Sequence, residues 1–258
     1  MRRRTASTLC LAAWAAIAGG VAAPGADRAF AQASVPAKPA PGIPAALPPD
    51  VAFGRFIALI RGHLLAGDDL VKARDWTDAL PDFRYPLEEI YGVIRDDLRS
   101  YKTPQFDGAL KALARTVAKR NVRQYQKARQ RVDDALAAAD ANLKARQFDW
   151  PRFELEIALA VLKTAPDEYE VAVAKGRMIH PGGYQTARGF ILQSDRMIES
   201  VAPELAAKNA DAMRDIRDGF VQLRRAFATV TAPKRPAIDD AVLLETIARI
   251  EMAARKLM

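Results

Sequence analysis

The chain has 258 residues, half of them hydrophobic, with 39 basic against 31 acidic side chains, two histidines and a single cysteine. One cysteine excludes an internal disulfide framework or a thiolate metal cluster, and the chain carries no HExxH pair, no GxSxG elbow, no phosphate-cradling glycine loop and no EF-hand spacing. The common catalytic constellations are therefore missing, and the reading is that the protein is not an enzyme.

The N-terminus begins Met1-Arg2-Arg3-Arg4, passes through an apolar run from Leu9 to Ala23 and reaches Ala29-Phe30-Ala31. A charged start, an apolar centre and a small-residue cleavage site in that order read as a signal peptide over 1–31, cut before Gln32. Gly19, Gly20 and Pro24 interrupt the apolar run and argue against a membrane anchor, so no transmembrane segment is expected after cleavage. The expected location is the periplasm, with either the general or the twin-arginine export route open. Cleavage removes Cys10 and, with Arg2, Arg3, Arg4, Arg28 and Asp27, lowers the formal net charge from +8 to +5. An excess of that size allows weak contact with anionic envelope surfaces and does not point to nucleic acid.

Residues 32–50, QASVPAKPAPGIPAALPPD, form an Ala/Pro-rich linker. From Val51 onward, Phe53, Phe56, Ile57, Ile60, Leu64 and Val71 recur at helical spacing, with Gly67 on the same face where another helix can come close. Pro86 opens a helix with the stripe Leu87, Ile90, Tyr91, Ile94 and Leu98, and Thr103-Pro104 repeats the start signal. The pattern resumes from Val122 to Leu143, restarts after an Asp149 cap and Pro151, and continues as one long helix from Pro203 to Phe227. A last amphipathic helix runs over 238–258. No strand signal stands out, so residues 51–258 read as an all-α domain, an antiparallel bundle of about eight helices.

Chemistry concentrates in two stretches. In the first, His63 lies on the flank of the first helix's apolar face, and Asp82, Tyr85, Glu88 and Glu89 follow on the next helices. An imidazole with carboxylates and a phenol is a mixed nitrogen and oxygen donor set suited to iron, zinc or copper. At about 100° per residue from Pro86, Glu88 falls nearer the inner face than Glu89, although both also suit the positive end of a helix dipole. Asp68 and Asp69 read as a solvated face, as does the basic run Lys119 to Arg131. In the second stretch, Gly176 reads as a helix stop and His180-Pro181-Gly182-Gly183 as an exposed turn, while Tyr169, Tyr184 and Phe190 read as core.

Gly62-His63-Leu64, Pro86 to Tyr91, Glu168-Tyr169, Gly176 and Tyr184-Gln185 with Ala187, Gly189 and Phe190 together resemble the imelysin (M75 peptidase-like) group, which includes periplasmic helical proteins of iron uptake. The resemblance implies a helical bundle that binds iron or another metal through histidine and glutamate. The expected function is that of a non-catalytic, periplasmic metal-binding or metal-uptake accessory protein. The alternative is a helical interaction module that holds an envelope protein partner without metal.

Overall fold

The computed structural model describes residues 47–258; the expected signal peptide and most of the expected linker lie outside them. The helices are α1 (Pro49–Lys72), α2 (Trp76–Tyr85), α3 (Tyr91–Ile94), α4 (Asp107–Ala118), α5 (Val122–Lys144) and α6 (Trp150–Leu162), followed by α7 (Ala165–Ala172), α8 (Pro181–Ser200), α9 (Ala202–Lys208), α10 (Ala210–Ala226) and α11 (Asp240–Ala254). The fold is all-α, a helical bundle. Several of these segments are short pieces of longer rods, which is why there are more of them than the hydrophobic stripes suggested.

The starts are set by side chains that satisfy first-turn donors. Asp75, Asn121, Asp149 and Asn209 each accept a hydrogen bond from a backbone N–H three residues on. Several stops use an unexpected device. Arg74, Lys102 and Arg120 take the left-handed conformation, with φ of 65°, 50° and 50°. Around each, the following N–H bonds a carbonyl five residues back, as in Asp75 to Leu70 and Asn121 to Thr116. These are Schellman closures with a basic residue where glycine is usual. Asp75 and Asn121 then cap the next helix, so a stop and a start share adjacent residues.

Four expectations change. The segment from Pro203 to Phe227 is two helices, because Asn209 is extended (φ −157°, ψ 99°), ending α9 and capping α10. Thr103-Pro104 precedes α4 without starting it, the Thr103 hydroxyl being spent on the Tyr101 carbonyl. Gly176 and Lys175, both at positive φ, close a two-residue hairpin between β1 (Val173–Ala174) and β2 (Arg177–Met178). His180 caps α8 and Pro181 is its first residue, so the expected turn is helical from Pro181 onward.

α1 is the central rod, packing most extensively on α8 and then on α2 and α6. α1 and α8 run antiparallel: Arg188 reaches Asp69 near the end of α1, while Met197 and Ser200 share a cavity with Gly54 near its start. Between them the backbones touch at two glycines. A Cβ on Gly189 would stand 2.3 Å from the Gly62 carbonyl oxygen, and one on Gly62 would stand 2.5 Å from the Phe190 ring. Gly67 likewise faces Phe83 and the Asp82 Cβ, the close helix approach expected there. No helix among the described residues is long and apolar enough to cross a membrane.

Candidate functional site

His63 lies one residue from that glycine contact and is 3% exposed. The apolar stripe of α1 turns its ring inward, where Phe190 meets it edge-on at 5.1 Å and Tyr85 lies against it at 4.6 Å between centroids. Nδ1 is 3.4 Å from Oδ1 of Asp82, which is itself buried on α2. Burial pushes the Asp82 carboxyl above the usual carboxylate range, and the His63 contact pulls it back. An ionised carboxylate can only accept, so it takes the Nδ1–H and leaves the Nε2 lone pair bare. Nε2 has no hydrogen-bond partner, and neither has the buried amide nitrogen of Gln185 on α8, the helix packed on this face of α1.

A second carboxylate, half-buried Glu168 on α7, feels this pair electrostatically. Burial raises the Glu168 carboxyl, nearby His63 opposes that rise, and the charges of Asp167 and Asp82 add to it. Tyr85 is raised by burial and then by the charges of Glu168 and Glu89. Gly183 makes this possible, since any Cβ there would stand 2.5 Å from the Glu168 carbonyl oxygen and push α7 off α8.

His63, Asp82 and Tyr85 are thus brought together, while Glu88 and Glu89 are not part of the cluster. Both glutamates are exposed and line a shallow groove with Arg84, Leu80 and the outer side of Tyr85. The reason is local. Pro86 has no N–H to give to the carbonyl of Asp82, and the chain from Pro86 to Ile90 widens into a π-turn in which Tyr91 N–H bonds the Pro86 carbonyl. The angles of a regular α-helix from Pro86 do not apply across that turn. Among the described residues no three His, Cys, Asp or Glu side chains stand close enough together to hold a metal ion.

Glu168 is the residue that patterning of the first stretch could not supply, because it comes from far along the chain. The only signal was its place beside Tyr169 in the imelysin resemblance. His180 is exposed and stands apart from the cluster as the cap of α8. The Tyr169 and Tyr184 hydroxyls donate to the carbonyls of Ile238 and Thr229, so both rings are core with spent hydroxyls. Asp68 and Asp69, expected on a solvated face, are tied down instead. Asp68 accepts from Tyr125 and Arg129, and Asp69 from Arg188 and Lys72. Tyr125 and Arg129 belong to the basic run expected on a solvated face, so that face is partly an anchor.

Compared with known proteins, residues 144–258 match the model of the iron permease-associated four-helix bundle domain. That stretch is less than half of the chain, and its helices of thirteen residues or more are α6, α8, α10 and α11. No curated protein and no solved structure matches the chain. The family matched there is described by its association with an iron permease; the likeness to imelysin rests on the sequence motifs alone.

Proposed function

We propose that this protein is a non-catalytic, periplasmic accessory of metal uptake that holds a metal ion, iron foremost, and gives it up to a permease in the envelope. The ligands are His63 Nε2 and the Glu168 carboxylate. Asp82 holds the imidazole in the tautomer that frees Nε2, the usual arrangement behind a metal-bound histidine. Tyr85, whose ring lies against the imidazole, is a further donor. Nitrogen with oxygen suits iron, zinc or copper, and two protein ligands leave positions open for a donor or acceptor of the ion, as transfer needs and storage does not.

The observation that carries this reading is the buried imidazole nitrogen without a partner, on a ring that acts electrostatically on a carboxylate from the segment matching an iron permease-associated domain. A buried polar atom without a partner costs free energy, and a bound cation removes that cost. Titration of tag-free protein with ferrous iron, zinc and copper tests it. Stoichiometric binding is expected, abolished by His63→Ala and by Glu168→Gln, and weakened about 10–100-fold by Asp82→Asn. Absence of binding, or binding indifferent to His63→Ala and Glu168→Gln, refutes the reading. A partner held equally by metal-free protein and by His63→Ala would favour a metal-independent interaction module.

A further inference from the structure

A second cavity, of about 270 Å³, lies where α1, α5, α6 and α8 meet. Ala58, Leu143 and Ile157 give it apolar walls, and Trp150 adds an aromatic one. Arg61 and Asp140, which also line it, satisfy each other through two contacts at 2.7 and 2.9 Å. Three polar side chains in the lining have no hydrogen-bond or ion-pair partner among the described residues: Glu154, Gln193 and Arg196. Gln193 is only 7% exposed. Its amide lines the cavity and offers an acceptor and a donor to a molecule that enters.

The charges narrow the ligand. A metal ion fits poorly, because Asp140 is engaged by the Arg61 guanidinium and Glu154 is left as the single free carboxylate. A free carboxylate inside and a free guanidinium at the exposed mouth call for both signs on one molecule. A cavity of about 270 Å³ has room for a molecule the size of an amino acid. We propose that this cavity binds a small zwitterion of the amino-acid class, its ammonium held by Glu154 and the Gln193 carbonyl oxygen and its carboxylate by Arg196. The proposal does not depend on metal binding at His63.

The charged groups acting on Glu154 are Arg61 from α1 and Asp140 and Lys144 from α5, while Arg196 from α8 lines the same cavity. Burial first, and the Asp140 charge second, push the Glu154 carboxyl up to about 7, against the opposing pull of Arg61 and Lys144. Glu154 therefore takes an ammonium group best above that pH, where it is ionised.

The test is isothermal titration calorimetry of the full-length protein with each standard amino acid, then with the deaminated and decarboxylated analogues of whichever binds. One-to-one binding is expected, at least about tenfold tighter than either analogue, the order of effect of one charge-assisted hydrogen bond. Glu154→Gln and Arg196→Met should each weaken it by a similar factor, the first keeping the shape of the side chain and the second lying at the exposed mouth. Binding to the unaltered protein should also weaken as pH falls below about 7, and that dependence should vanish in Glu154→Gln. The proposal is overturned if no amino acid binds, if either analogue binds as tightly as the parent, or if both variants bind unchanged.

Discussion

Burial of Glu154 is poorly compensated, and its effect on stability has a definite sign. Its carboxyl titrates at about 7 in the folded protein against 4.5 for the free side chain, so the folded state keeps the proton over a range in which the unfolded chain has lost it. Below pH about 4.5 both states are protonated and the side chain costs nothing through titration. Between there and about 7 the protein loses stability as pH rises, by up to about 3 kcal/mol. Glu154→Gln removes this slope. Chemical denaturation of the variant and the unaltered protein across that range should converge at the acid end, with the variant the more stable above pH about 7. Parallel curves would show that Glu154 is better solvated than its surroundings imply. His63 and Asp82 follow the same logic of a buried polar pair, with the difference that one ring nitrogen is left open.

Among the elements, the contact between α1 and α8 positions the His63 site, and it depends on two glycines. Gly189→Ala would drive a methyl group into the Gly62 carbonyl and against Ala66, and both neighbours are parts of a packed helix with nowhere to go. A loss of about 3 kcal/mol is expected, read as a lower denaturation midpoint, together with weaker metal binding because Phe190 and the His63 ring must separate. An unchanged midpoint would mean that the helices can slide apart freely. The helix stops allow a test in the opposite direction. Lys102 sits at φ 50° with no bond from its side chain among the described residues, so Lys102→Gly relieves left-handed strain. A gain of about 0.5–1 kcal/mol is expected after the extra freedom of glycine in the unfolded chain is subtracted. These stops were illegible in the sequence because glycine is the signal that marks such positions and basic residues occupy them here. The caps at Asp149 and the proline starts at Pro151 and Pro203 were legible, because Asp and Pro act through their own local chemistry. The π-turn after Pro86 was not, and with it went the placement of Glu88.

In the molecule as a whole, periodicity of apolar residues exposed the all-α class and most of the core, since each helix must bury one stripe whatever its partner. It also turned His63 inward beside Asp82 and Tyr85, which come from the neighbouring helix. It could not reveal Glu168, because which distant helix closes over His63 is decided by tertiary packing, through Gly183 in particular. The central claim is that an imidazole from α1 and a carboxylate from α7, within the part that matches an iron permease-associated domain, together hold a metal ion. X-ray absorption on the iron-loaded protein tests that claim most directly, because the chain has only two histidines. The account predicts one imidazole nitrogen among oxygen neighbours, retained in His180→Ala and lost in His63→Ala. An all-oxygen shell in the unaltered protein, or an imidazole that survives His63→Ala, would contradict it.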